Sequence, residues 1–227
     1  MRLVVFLFLI PWAAAHAAPQ QQPDKQEFYR MLDEIRASIR IDDWPEASRT
    51  AIRLNAALLE KRGRTQPTPE LELRHLEMVA GQDATTRAPL LARMTKAAFA
   101  AGDWARAERY ANDALEASKH GVFWWTGDAI HQGNIVLGRL ALRRGDVEAA
   151  KRYLLLAGKT PGSSGLASLG PSMALAKDLL ERGEPATVLQ YLDECANFWD
   201  GNRGKLAEWT ALVRAGLKPD FGPNLNY

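Results

Sequence analysis

The chain has 227 residues, with 29 Lys and Arg against 27 Asp and Glu for a formal charge of +2, and 47% of its residues are hydrophobic. That near-balance excludes the global positive bias of a nucleic-acid or anionic-membrane binder. The single cysteine, Cys195, excludes an internal disulfide, so packing alone must hold a fold whose length suits one domain with a sizeable core.

The N-terminus reads as a secretory signal peptide over 1–17: Arg2, an apolar run over 3–15, then Ala15-His16-Ala17 with small residues at the two cleavage-determining positions. The run is shorter than the about 20 apolar residues of a membrane span and gives way at once to PQQQPD. Cys195 lies far from the cleavage site, which excludes a lipid-bearing first residue. A soluble periplasmic or secreted product over 18–227 is expected, and intact mass should show it beginning at Ala18. Full-length protein in a membrane fraction would overturn the cleavage site and revive an uncleaved anchor.

Beyond the signal, alanine and leucine abound, β-branched runs are absent, and glycine and proline cluster at intervals, which predicts helix nearly throughout. Helices are expected to begin near Gln26, Pro45, Pro69, Thr86, Trp104, Gly127, Val147, Pro171, Pro185 and Gly204, several of them on a proline suited to a first turn. Turns fall at Asp42-Asp43, Gly102-Asp103, Gly145-Asp146 and Gly183-Glu184. Aligned on these turns, Ala47, Ala107, Ala150 and Val188 form one column, and Leu54, Ala114, Ala157 and Cys195 a second. Thr50, Tyr110, Tyr153 and Tyr191 form a third. Small residues at these spacings let two helices approach closely while the aromatic fills the gap beside them. Trp44 and Trp104 are placed to cover the start of their second helices.

The stretch LGRLALRRGDVEAAKRYLLLAGKTP over 137–161 resembles a tetratricopeptide repeat (TPR), a helix-turn-helix unit of about 34 residues that stacks into a solenoid. The copies are divergent: the turn spacing is irregular, KRGRTQPTPE and a helix near Pro69 lengthen the first interval, and the first copy lacks the turn glycine. Leu206, Trp209, Leu212 and Val213 share one face of an expected capping helix over 204–216, which closes the last repeat. An extended tail over 217–227 follows, pinned by Phe221. The blocks GDAIHQGNIVLGRLAL, AGKTPGS, LGPSMALAKDLLERGE, YLDECANFW and PDFGPNL make the second half similar to a group of exported bacterial TPR-like proteins of unassigned function. That resemblance implies no catalytic residue and no cofactor.

Asp128, His131 and Asn134 stand three apart on one helix, as a polar site or as a local hydrogen-bond set in which His131 meets Asp128 or a loop carbonyl. They lack the further ligands that a metal site needs. The 162–170 loop, GSSGLASLG, fits neither a P-loop nor a nucleophile elbow, and is expected to be an ordered connector delivering Pro171 to the next helix. Phe123, Trp124 and Trp125 form the densest aromatic cluster, with at least one ring in the core and the others an alternative binding anchor. Phe198, Trp199 and Trp209 are expected to seal the C-terminal cap, and Cys195 to be a buried, inert thiol. Arg36, Lys96, Arg139 and Lys177 stand six residues before each turn, with Arg40 and Arg143 four further on. By the TPR resemblance, that column faces a concave groove. Two readings stand side by side, a basic ladder for a partner or solvated cations whose stems cover the apolar seam.

These features point to an exported adaptor that binds a protein or peptide, acidic or carboxylate-presenting, and performs no chemistry. A structural envelope component acting by self-association is the alternative. An all-α enzyme is third, because no paired carboxylates or nucleophile–base set stands out.

Overall fold

A computed structural model describes residues 68–81 and 83–226, and every regular element in that range is helical. The signal segment, the turn at Asp42-Asp43, and Arg36, Arg40 and Trp44 lie outside the described residues. The longer helices are α1 (Pro69–Ala80), α2 (Leu91–Ala100), α3 (Trp104–Ala117), α4 (Thr126–Arg143), α5 (Val147–Gly158), α6 (Ser164–Leu169), α7 (Ala174–Leu180), α8 (Pro185–Cys195) and α9 (Lys205–Arg214). Among the described residues, no helix is long and apolar enough to cross a membrane.

Three helix pairs, α2/α3, α4/α5 and α7/α8, share one turn chemistry. Gly102, Gly145 and Gly183 have φ of 75°, 81° and 79°, left-handed values that an L side chain resists. In each turn the residue after the glycine donates its N–H to a carbonyl five residues back: Asp103 to Ala98, Asp146 to Ala141, Glu184 to Leu179. Asp103 and Asp146 then cap the next helix through their carboxylates, accepting from the N–H groups of Arg106 and Ala149. Glu184 makes no such bond, and Pro185 opens α8 instead. Gly216 closes α9 with the same pattern, Leu217 donating to Leu212. The expected cap is therefore built like the first helix of a further pair.

The aligned columns are the seams. Ala107, Ala150 and Val188 are fully buried, as are Ala114, Ala157 and Cys195, and Tyr110 and Tyr191 are buried beside them. Two apolar clusters result, one under α1, α2 and α3 (Leu73, Leu76, Met94, Ala97, Tyr110, Ala114), the other under α5 through α9 (Leu154, Leu175, Leu179, Tyr191, Leu192, Trp209). Helix α4 serves both, with Val136 and Leu140 in the first and Ile135 and Leu142 in the second. Its glycines let neighbours press close: Gly133 lies against Ala111 and Leu115, and Gly138 against Leu175 and Tyr153.

The connection after α5 differs from expectation. It contains the short helix α6, whose N-cap Ser163 accepts from the Leu166 N–H, and α7 begins at Ala174, not at Pro171. Pro171 and Ser172 are buried, with their backbone groups taken by tertiary partners, so no helical ladder starts there. The tail is also more structured than expected. A 3-10 turn spans Gly222–Leu225, and Phe221 packs edge-on to Trp209 at 5.0 Å, with Trp209 itself 5.6 Å from Trp199.

Candidate functional site

His131 lies at the crossing of α4, α5 and α7 and is buried. Its Nδ1 is 3.1 Å from the Ala157 carbonyl, which only accepts, so Nδ1 carries the proton. Nε2 accepts from the Ser172 N–H at 2.9 Å. The Tyr191 hydroxyl donates to the Ser172 carbonyl at 2.8 Å, and its ring lies beside the imidazole. Burial lowers the His131 pKa from 6.5 to about 4, because a charged ring there would lose water and find a carbonyl on one side only. The imidazole is a neutral staple between the end of α5 and the connection before α7.

The expected set of Asp128, His131 and Asn134 therefore divides. Asp128 accepts from the Ser163 hydroxyl at 2.8 Å instead of meeting His131. Asn134 donates to the Ile130 carbonyl within its own helix. What gathers is Asp128 with the 162–170 segment: Ser163, Gly165, Leu166 and Leu169 face the first turns of α4. Thr160 ties that segment down by donating to the Gly127 carbonyl at 2.8 Å. Burial raises the Asp128 pKa above the ordinary carboxylate value, against the lowering effect of the Ser163 bond.

Between α2, α4 and α6 lies a cleft of about 390 Å³, lined by Arg93 and Lys96, Asp128 and Gln132, and Leu166 and Leu169. A second, of about 320 Å³, runs on past Phe99, Ile135 and Arg139 to Leu225 and Asn226. The two meet at Lys96, Gln132 and Ser172. The tail forms one wall of the second. Asn224 is buried, its amide donating to the carbonyls of Leu169 and Pro171 and its own carbonyl accepting from Met173. Lys96 donates to the backbone carbonyl of Asn226.

The described members of the basic column all have intramolecular company. Arg139 reaches Asp178 at 2.8 Å and lies over the Phe99 ring, 4.6 Å from its centroid. Lys177 pairs with Glu181 one turn away. Arg143 sits 3.8 Å over the Trp104 ring, which meets Phe99 edge-on. Among the described residues Lys96 has a carbonyl but no carboxylate within ion-pair distance. Part of its surface stays exposed, yet the protein atoms around the amine withdraw enough water to hold its pKa below the usual lysine value.

The aromatic cluster divides as well. Trp125 is buried, with Phe123 stacked on it at 5.3 Å, while Trp124 is 76% and Val122 87% exposed. Thr126 locks the turn, accepting from the Phe123 N–H and donating to the Gly121 carbonyl. Phe198 is in the same apolar cluster as Trp199 and Trp209 and meets the His131 ring edge-on. Cys195 is fully buried, and burial pushes its thiol pKa up, which makes it a poor nucleophile. Among the described residues, no group of three His, Cys, Asp or Glu stands close enough to hold a metal ion.

Arg93, Gln132 and Asn224 escaped the sequence reading. Arg93 is three residues before Lys96 and so on its face, a legible signal. Asn224 in GPNL reads only as turn chemistry. No family model, curated protein or solved structure matches the chain.

Proposed function

We propose that the chain is an exported, TPR-like α-solenoid that works as an adaptor without chemistry of its own. It holds an acidic or carboxylate-presenting protein segment along the inner face of α2, α4 and α7. The repeated glycine turns and the buried small-residue columns support the repeat architecture. One observation carries the binding reading: this face already receives polypeptide, because the chain's own Leu225 and Asn226 lie on it and Lys96 donates to a main-chain carbonyl there. A carboxylate at that place satisfies Lys96 better than a neutral carbonyl, since charge-assisted hydrogen bonds are stronger.

Arg139 belongs to the fold as much as to the face, because its bond to Asp178 ties α4 to α7. The informative reversal is therefore Lys96→Glu with Lys177→Glu. A partner captured from envelope extract with the mature chain should bind the double variant on the order of 100-fold more weakly, at about 1.5–3 kcal/mol per charged hydrogen bond. Wild-type affinity should fall with added salt, and the circular dichroism of the variant should stay helical. Unchanged affinity and unchanged salt dependence refute the groove.

Self-association is the second reading, favoured by the rigid apolar tip of Val122 and Trp124. Concentration-dependent light scattering that disappears in Trp124→Ser supports it.

A further inference from the structure

The cleft between α2, α4 and α6 has an electrostatic character of its own. Lys96 on one wall and Asp128 on the other both line it, yet they form no ion pair with each other, and no other described residue offers either one an opposite charge within ion-pair distance. The Lys96 amine has three protons, and one is used by the Asn226 carbonyl. Asp128 uses one oxygen for Ser163. Burial shifts both groups toward their neutral forms, outweighing the opposing effects of Glu72 on Lys96 and of the Ser163 bond on Asp128. Arg93, the other cation lining the cleft, is already paired with Glu72, and between Lys96 and Asp128 the lining includes the aliphatic Ala92 of α2 and Leu166 and Leu169 of α6. Gln132 adds an amide that both donates and accepts. At about 390 Å³ the space falls within the usual range of small-ligand sites, about 300–1,000 Å³.

We propose that this cleft binds a small zwitterion with an aliphatic body, an amino acid or a short peptide, its carboxylate on Lys96 and its ammonium on Asp128. A neutral ligand leaves both charges uncompensated, and a singly charged one leaves the other. Only a ligand with both charges answers the two walls, and the aliphatic body then covers Leu166 and Leu169. The site adjoins the tail-lined part of the groove at Lys96 and Gln132, but its preference for a zwitterion rests on Asp128 and does not depend on the adaptor reading.

Isothermal titration of the mature chain with four probes tests this: L-leucine, L-leucyl-L-leucine, N-acetyl-L-leucine and L-leucinamide. At least one zwitterion should bind saturably, and its blocked analogues about 10- to 100-fold more weakly, the range for loss of a charged hydrogen bond. Whether leucine or the dipeptide binds tells a free amino acid from a peptide. Asp128→Asn should abolish the preference over N-acetyl-leucine, and Lys96→Met the preference over leucinamide, while Lys177→Glu changes neither. Failure of this pattern leaves the adaptor reading standing. Absence of binding by both zwitterions at millimolar concentration overturns the proposal. So does equal binding of the blocked analogues by the wild type, a comparison that holds even if a variant fails to fold.

Discussion

Gly127→Ala is expected to destabilise the protein by about 3 kcal/mol or more, at the upper end of overpacking effects. A Cβ on Gly127 points into the main chain of the α5–α6 connection, against the Gly162 carbonyl and 3.1 Å from the Ser163 nitrogen. No rotamer relieves that clash, because the obstacle is backbone. The backbone in turn is held by Thr160 bonding to the Gly127 carbonyl and by Phe198 packed on Gly162. The melting temperature should fall by roughly 10 °C. Gly145→Ala is the control. Its φ is 81° but nothing lies within 4 Å of a Cβ there, so only the left-handed backbone resists, at about 1 kcal/mol. Equal melting temperatures for the two variants would show that the α4 start and the α5–α6 connection do not touch.

Acid should destabilise the fold through His131. Its pKa is about 4 in the fold and 6.5 when unfolded, so the unfolded chain takes up the proton first. The His131 contribution is complete above pH 6.5, declines as pH falls from 6.5 to 4, and loses nothing more below that. At about 1.4 kcal/mol per unit, the loss is about 3 kcal/mol. Asp128 acts in the opposite sense. Its pKa is raised in the fold, so its contribution grows as the carboxyl protonates and is lost as pH rises through the folded value. Urea unfolding of the wild type and of His131→Gln at pH 7.5, 5.5 and 4.5 isolates the histidine. The advantage of the wild type at pH 7.5 should shrink by about 2–3 kcal/mol at pH 4.5, most of the full loss. Parallel stability curves would mean that the imidazole is not held neutral.

Much of the helical architecture was legible in the residues because its causes are local. A glycine that must be left-handed, an acid after it that caps the next helix, and small residues one and about three turns further on are read within some fifteen positions. They place the turns at Gly102, Gly145 and Gly183 and the seams at Ala107, Ala150 and Val188. The buried Cys195 follows from the same alignment, and the grouping of Trp199 with Trp209 from their apolar character, whereas the contact of Trp209 with Phe221 came from the tertiary structure. The sequence by itself also determined the near-neutral charge and the absence of an internal disulfide.

The polar groups were a different matter, because a hydrogen bond is decided by which backbone arrives opposite a side chain. His131 carries no local sign that the end of α5 and the connection before α7 will meet it from two sides. Nor does Asp128 show that its partner will be Ser163, 35 residues away. The basic column was visible, but not that Asp178, Glu181, the Trp104 ring and the Asn226 carbonyl would receive its cations one by one. Only the tertiary structure decided these pairings. It brought α2, α4 and α6 together around one cleft, and it left Lys96 and Asp128 on opposite walls with neither neutralising the other.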